Sequence, residues 1–193
     1  PTFVRVCVLQ VLTNSIGSLR KPQIENIKDF LNKEVIGNKC FAINGFVVLN
    51  DRDSVIINRK KLKKSVPLEL KIGNNYDFDN YVYKVRKYSR NVRFSRNSDD
   101  ELIDLAAIKN KKLILRYWCS GDRFKPLGMS GMQKISDYLI NNKINLFQKD
   151  EQTVLTADNQ IIWVCGQRID DSVKVNNSTK NILRIRRKLK KVG

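Results

Sequence analysis

The chain has 193 residues, and 41% of them are hydrophobic, which is enough for one or two domains with packed cores. It carries 37 Lys and Arg residues against 19 Asp and Glu residues, a formal net charge of +18. This excess favours a polyanionic partner, nucleic acid before an acidic membrane surface, and no run approaches the roughly 20 apolar residues that a membrane span needs.

The first half of the chain predicts helices followed by a short-stranded antiparallel sheet. Residues 3–13 form an apolar run that is compatible with a buried helix or a strand. Residues 21–34 combine a proline in the first turn with apolar residues at helical spacing, which predicts an amphipathic helix. From Lys39 the apolar period changes to two, which predicts short strands. We assign residues 1–100 to a first domain and place its boundary in the turn-rich segment 89–100.

The segment YVYKVRKY at residues 81–88 alternates with the period of a strand. One face carries Tyr81, Tyr83, Val85 and Lys87, and the other carries Val82, Lys84, Arg86 and Tyr88. We therefore assign the segment to a strand.

Residues 101–193 predict a second, β-rich domain with one main helix. A strand is expected at residues 112–119, a helix over about 131–142, a hairpin at 152–166, and further strands at 172–175 and 181–189. The fold class is therefore α+β with two small domains. Helices and a short-stranded antiparallel sheet come first, and a mixed β-rich domain follows.

The chain offers few groups for catalysis. It has no histidine, no Gly-rich loop of a nucleotide-binding type, and four separated cysteines that indicate reduced thiols in a cytoplasmic protein. The acidic pairs Asp99-Asp100 and Asp170-Asp171 lie in turn-like stretches, where carboxylates more often cap turns than catalyse. We assign no catalytic residue, no metal site and no cofactor-binding residue in this chain.

A basic loop, GDRFKPLGMSGMQK at residues 121–134, is the strongest candidate for binding. Its glycines let backbone N–H groups approach an anion, and the helix that follows presents its positive end. Cations in and before the loop, together with Arg168 from the later segment IIWVCGQRID, form the candidate RNA-binding set: Lys111, Lys112, Arg116, Arg123, Lys125, Lys134 and Arg168. The alternative is that Asp122 caps a turn and pairs with Arg123 while the lysines are solvated, and the pattern leaves both open.

Two further features have two interpretations each. The basic residues of the C-terminal run RIRRKLKK either follow a phosphate backbone or belong to a frayed end. Trp118 and Trp163 either stack on unpaired bases or pack in the core, and their apolar surroundings favour the core.

The segments RYWCSGDRFKPLGMSGMQKISDYLINNKI, IIWVCGQRIDDSVKV and STKNILRI together resemble the C-terminal region of bacterial tRNA(Ile)-lysidine synthetases. The resemblance covers about residues 110–186, and its motif elements are Gly121–Phe124, Pro126–Met129, Gly131, Lys134-Ser136-Asp137 and Trp163–Ile169. The segments at 18–31 and 39–59 are similar to the preceding helix and strands of the same proteins.

The resemblance implies a role in an ATP-dependent ligase that joins free lysine to the wobble cytidine of isoleucine tRNA. It implies that ATP, with Mg, binds in an N-terminal catalytic domain, and the start at Pro1 fits the expectation that this domain precedes the chain. The expected partners are isoleucine tRNA and that catalytic domain, with a homodimer left open and no membrane. We expect the chain alone to be inactive.

Two other classes of function remain. One is a free-standing RNA- or ribosome-binding module without enzymatic activity, and the other is a protein–protein interaction module that docks through residues 3–13. Binding that weakens with salt distinguishes the RNA readings from the protein-docking reading.

Overall fold

The structure of the chain is a computed structural model. It describes residues 19–32, 39–41, 45–52, 54–59, 65–89 and 92–190, and single positions between 7 and 14. These residues divide into two compact units, Pro1–Lys63 and Lys64–Gly193. Most of the apolar run 3–13, the predicted helix end at 33–34 and the last three residues lie outside the described part.

The first unit contains one helix and a three-stranded antiparallel sheet. Helix α1 (Lys21–Asn32) begins with Pro22 in its first turn, as predicted, and the Arg20 N–H donates to Gln23 Oε1 at its start. Strands β1 (Lys39–Phe41), β2 (Phe46–Asp51) and β3 (Ser54–Arg59) pair in the order β1-β2-β3. Ile27 of α1 and Val48 of β2 are buried together. The described positions between 7 and 14 are helical, which favours the helix for that run.

The second unit is built on two antiparallel sheets. The strands are β4 (Leu68–Leu70), β5 (Asn75–Phe78), β6 (Tyr81–Ser89), β7 (Asp100–Asp104), β8 (Leu113–Tyr117), β9 (Arg123–Phe124), β10 (Gln133–Lys134), β11 (Thr153–Ala157), β12 (Gln160–Val164), β13 (Arg168–Ile169) and β14 (Asn181–Leu189). One sheet has the order β5-β6-β14-β7, and the other has the order β13-β12-β11-β8-β4. Strands β9 and β10 pair with each other and form a two-stranded antiparallel ribbon.

The main core of this unit lies between the two sheets. Alternate residues of β6 and β14, including Tyr83, Val85, Leu183 and Ile185, are fully buried against the five-stranded sheet. Trp163 packs there with its ring edge toward Tyr83, 6.4 Å between centroids. The core interpretation of Trp163 is therefore confirmed.

A helical layer covers the other face of the five-stranded sheet. Helix α2 (Ile135–Asn141) buries Ile135 and Leu139 against Phe124 and Val154, and the short helix α3 (Leu146–Asp150) follows it. Helix α2 begins later than the predicted residue 131 because Gln133 and Lys134 pair with β9. The four-stranded sheet and the helical layer thus lie on opposite sides of the five-stranded sheet.

The α+β class is confirmed, and all strand pairings among the described residues are antiparallel. The division between units differs from the predicted boundary near residue 100. Strand β6 pairs with β14 along its whole length, and β7 pairs with the other side of β14, so residues 65–100 belong to the second unit. Residues 171–173 form a 3-10 turn rather than a strand, because Asp170 caps them. No helix of the described residues is long and apolar enough to cross a membrane.

Candidate nucleic-acid interface

The loop at residues 119–123 is held by a carboxylate and a guanidinium. Arg116 points to the helical side of β8 and donates two hydrogen bonds to Asp122, at 2.8 and 3.0 Å. Asp122 also accepts the Cys119 N–H at 2.8 Å. The hydrogen bond that Arg116 donates to Asp122 raises the pKa of Arg116, and burial opposes this effect. Asp122 therefore caps the turn, as the alternative interpretation of the loop predicted. Its ion-pair partner, however, is Arg116 and not Arg123.

The next part of the loop is fixed by the second acidic pair. Asp170 is almost fully buried and accepts the Lys125 N–H at 2.7 Å and the Ser172 N–H at 2.9 Å. Asp171 accepts the Gly128 N–H at 3.1 Å, and its carboxylate pairs with Lys174 and Lys125. The bond from Gly128 and the bond from Lys174 lower the pKa of Asp171. These backbone N–H groups of the loop thus donate to carboxylates of the protein itself. They do not form an open anion-binding site.

Arg123 and Lys134 are the two loop cations that stay exposed. They are register partners in the β9-β10 ribbon, so their side chains extend from the same face. Among the described residues, no carboxylate pairs with either of them. The structure therefore brings these two predicted residues together at the surface of the helical layer.

The remaining predicted cations are spread around the unit. Lys111 Nζ lies 3.4 Å from Gln160 Oε1, and Lys112 is exposed at the start of β8. Arg168 is exposed and donates to the Leu127 carbonyl at 3.3 Å. Lys125 is half-buried beside Asp171. No single surface contains all seven residues, and their contact with RNA stays a prediction.

A second basic surface lies on the outer face of the four-stranded sheet. We call it the basic sheet face, and its residues are Lys84, Arg86, Tyr88, Arg184, Arg186 and Lys188. Arg184 is the register partner of Arg86, and Arg186 is the partner of Lys84, so four cations meet on two central strands. The same residues, except Lys188, line a depression of about 180 Å³ with the half-exposed ring of Tyr88 at one end.

One carboxylate organises this face. Asp100 accepts two hydrogen bonds from Arg184, at 2.7 and 2.6 Å, and one from Arg186, at 2.9 Å. Burial disfavours the charge of Asp100, but the hydrogen bonds from the two arginines outweigh it and lower its pKa. Arg86 is held by the Asn74 carbonyl and by Asn75 Oδ1, both at 2.8 Å. Within the described part of the chain, no carboxylate pairs with Lys84, Arg86 or Lys188, so the face keeps a positive surplus.

The C-terminal basic run is therefore a central strand over its described part, and the interpretation as a frayed end does not hold for residues 181–189. The period of two in β14 places Arg184, Arg186 and Lys188 outward, while Arg187 points into the sandwich. The sequence assigned residues 81–88 to a strand with Lys84 and Arg86 on one face. What it did not predict is that this face lies beside the outward arginines of a strand about 100 residues later.

Other chemistry is sparse in the described part of the chain. No group of three or more Cys, Asp or Glu side chains there is arranged to hold a metal ion. Cys7, Cys119 and Cys165 are free thiols, and burial raises the pKa of Cys165 to about 12, which makes it a core residue. Trp118 donates its indole N–H to the Lys149 carbonyl and packs on the helical layer.

A known protein family matches part of the second unit. The family model described as TilS substrate C-terminal domain matches residues 113–191. This range includes Arg123, Lys134, Arg184 and Arg186, whereas Lys84 and Arg86 precede it. A solved structure titled "Crystal structure of TILS C-terminal domain" superposes with a TM-score of 0.59 at 21% sequence identity, covering 66% of this chain and 98% of that one. The similarity establishes a shared fold.

Two curated relatives show how far the sequence similarity extends. The tRNA(Ile)-lysidine synthase of Clostridium tetani (strain Massachusetts / E88) is 42% identical over 180 residues, covering 88% of this chain and 38% of that protein. The tRNA(Ile)-lysidine synthase of Bacteroides thetaiotaomicron is 28% identical over 163 residues, covering 83% of this chain and 35% of that protein. The chain thus spans less than two fifths of the length of these relatives.

Proposed function

Because residues 113–191 belong to the TilS substrate C-terminal domain family, we propose that this chain holds tRNA for a tRNA(Ile)-lysidine synthase. In this proposal the RNA is isoleucine tRNA. The ligation of lysine with ATP takes place in a catalytic domain of the same protein, where ATP and Mg bind. The observation that carries the proposal is the basic sheet face, where cations from two adjacent strands lie beside the half-exposed ring of Tyr88.

The arrangement of charges suits a phosphate backbone. Antiparallel partners project on one face about 5 Å apart, and successive outward residues on one strand are roughly 7 Å apart. Arg186 and Lys188 follow each other at this spacing on β14, and Lys84 lies across from Arg186. The spacing is close to the separation of neighbouring phosphates in RNA. Arg184 and Arg186 are pre-positioned by Asp100, which reduces the side-chain entropy lost on binding.

A salt-dependent titration tests the proposal. Filter binding with isoleucine tRNA, an unrelated tRNA and duplex DNA at about 50 and 200 mM salt is expected to show tRNA binding that weakens steeply with salt. The triple variant Lys84→Ala/Arg186→Ala/Lys188→Ala is expected to lose roughly tenfold or more in tRNA affinity and to lower the salt slope. A charge-matched control, Lys71→Ala/Lys109→Ala/Lys180→Ala, removes three exposed lysines from other surfaces.

Two results would count against the proposal. Equal loss of affinity in both triple variants would mean that net charge, and not the basic sheet face, attracts the RNA. Formation of lysidine by this chain alone with ATP and lysine would contradict the assignment of the chemistry to a separate catalytic domain.

A further inference from the structure

A cavity of about 430 Å³ opens beside the edge strand β7, and Asp100, which organises the basic sheet face, is one of its lining residues. Its walls come from the segment 94–98, from β7 and from β13, which is the edge strand of the other sheet. The volume lies within the roughly 300–1,000 Å³ that small-molecule sites occupy. The cavity therefore has room for one nucleotide.

Two arginine side chains line this cavity without a close ion-pair partner among the described residues. Arg96 and Arg168 both line it, and among the described residues neither forms an ion pair with a carboxylate. Lys174 also lines the cavity, but its ammonium pairs with Asp171 at 3.1 Å. Guanidinium groups bind phosphate through two parallel N–H donors, so the two arginines suit a phosphate group of a bound ligand.

Besides Asp100, which is hydrogen-bonded to Arg184 and Arg186, a second carboxylate lines the cavity. Glu101 is partly buried in β7, and it forms no ion pair or hydrogen bond within the described part of the chain. Burial raises the pKa of Glu101 to about 7, with the charge of Arg168 opposing and that of Asp100 adding to the effect. An ionised carboxylate only accepts hydrogen bonds, so its ligand must present donors. Guanine is the base whose Watson–Crick edge presents two adjacent donors, N1–H and N2–H₂.

An exposed aromatic ring completes the site. Phe94 lines the cavity, and 72% of its surface is exposed to solvent. A phenylalanine that is so exposed gains little stability from burial in the fold, so its ring is available to a ligand. Bases of unpaired nucleotides stack on such rings. Leu102 and Ile169, which are both buried, add apolar surface to the lining of the cavity.

We propose that this cavity binds an unpaired guanine nucleotide, with Phe94 stacked on the base, Glu101 accepting from its N1–H and N2–H₂ groups, and Arg96 and Arg168 holding the phosphate. The nucleotide is part of the bound RNA or a free guanosine phosphate, since both present the same groups. The RNA form of the proposal rests on the proposed function, and it adds a base-specific contact to the backbone contacts of the basic sheet face.

Titration of the four nucleoside 5′-monophosphates into the ¹⁵N-labelled chain tests the site. GMP is expected to shift the amide resonances of Glu101, Gln167 and Arg168 and to bind roughly tenfold more tightly than AMP, CMP or UMP, because the other bases offer Glu101 fewer donors. Glu101→Gln is expected to reduce GMP affinity to the level of the other three, and Phe94→Leu to weaken all four. Equal affinities, or shifts confined to other surfaces, would overturn the proposal.

Two further measurements are needed. One distinguishes RNA from a free nucleotide as the ligand, and the other distinguishes failure of the cavity proposal from failure of the proposed function. Single-stranded UUGU is expected to displace GMP where UUAU does not, if the site serves RNA; GMP binding that neither oligonucleotide displaces assigns the site to a free nucleotide. The double variant Lys84→Ala/Lys188→Ala, which leaves Asp100 and its arginines in place, is expected to lose tRNA affinity and keep GMP affinity. Intact tRNA binding without guanine preference removes only the cavity proposal, whereas GMP binding without any tRNA binding removes only the proposed function.

Discussion

Arg186 and Arg187 are neighbours in β14, yet their guanidinium groups lie on opposite faces of the sheet. Arg186 donates to Asp100 on the basic sheet face. Arg187 points into the sandwich, where it pairs with Asp99 and lies 4.5 Å from the ring centroid of Tyr81. Burial opposes the charge of Arg187, but the bond to Asp99 helps to raise its pKa. Two identical side chains therefore have different roles, one in a candidate binding surface and one in the fold.

Alanine substitutions at these two positions should separate affinity from stability. Arg186→Ala is expected to weaken tRNA binding several-fold and to change the unfolding free energy by less than about 1 kcal/mol, because its partner Asp100 keeps Arg184. Arg187→Ala is expected to cost roughly 2–3 kcal/mol of stability, since its side chain is only 13% exposed and Asp99 and Tyr81 lose their partner. Urea unfolding measures the free energy of unfolding, and filter binding under conditions below the unfolding transition measures tRNA affinity. Equal effects of the two substitutions on tRNA affinity would contradict the assignment of faces.

Gly166 is constrained by the same arginine. Its φ of +73° favours glycine, and a Cβ there would lie 1.6 Å from Nη2 of Arg187. Gly166→Ala is therefore expected to cost about 2–3 kcal/mol in the wild-type chain, from backbone strain and from displacement of the guanidinium. In an Arg187→Ala background the clash is absent, and the same substitution should cost only about 1 kcal/mol. A double-mutant cycle by chemical unfolding checks the difference, and additive costs would show that the two residues do not compete for space.

Local patterns were sufficient to predict most elements of this fold. The helix at Lys21–Asn32, the strand at Tyr81–Ser89 and the hairpin of β11 and β12 follow from period, turn residues and proline position. Strand β5 was missed because NYDF lies between turn residues and has no apolar alternation of its own. It forms because β6 offers it an antiparallel partner.

Long-range pairing explains what the sequence could not predict about the candidate site. The predicted loop cations follow one another in sequence. In the structure, however, Arg116 forms an ion pair with Asp122, and Lys125 forms one with Asp171. The basic sheet face joins β6 to β14, and no local pattern states that these strands are neighbours. The alternation within each strand was visible, so the outward residues were predictable once the pairing was known.

We expect Arg116 to contribute more to the stability of the loop than to tRNA affinity. Arg116→Lys keeps the charge but removes the two parallel donors to Asp122, at a cost of about 1–2 kcal/mol. Because the charge remains, tRNA affinity measured below the unfolding transition should change by less than about twofold. Asp122→Asn is the matched variant from the other side of the pair and should cost a similar amount. A large fall in tRNA affinity for folded Arg116→Lys would return this residue to the binding surface.

Arg123 and Lys134 test the predicted loop separately from the basic sheet face. The double variant Arg123→Ala/Lys134→Ala is expected to weaken tRNA binding by roughly three- to tenfold and leave the melting temperature unchanged, since both side chains are exposed register partners without carboxylate contacts among the described residues. Filter binding at two salt concentrations, with the lysine-to-alanine control triple variant alongside, measures the effect. Unchanged tRNA affinity in the folded double variant would make the loop purely structural.

Glu101 gives the chain a distinctive pH dependence of stability. Its ordinary pKa of 4.5 is raised to about 7 in the folded protein by burial, so the unfolded chain ionises first as pH rises. The cost of holding a buried charge therefore begins near pH 4.5 and is fully present above about pH 7, so the folded state loses stability across this window. The positive charge of Arg168 reduces this cost and the negative charge of Asp100 adds to it, and Arg96 and Lys174 are the other charged groups that line the cavity.

Glu101→Gln removes this titration without changing the volume of the side chain. Relative to the wild-type chain, its unfolding free energy is expected to be nearly equal at pH 4.5 and higher by on the order of 1–2 kcal/mol at pH 8, once partial exposure is allowed for. Urea unfolding at a series of pH values measures the difference between the two proteins, in which the titration of all other groups cancels. A difference that stays constant from pH 4.5 to 8 would mean that Glu101 ionises in the folded chain at its ordinary pKa, and its burial in the cavity would then impose no cost for a guanine ligand to offset.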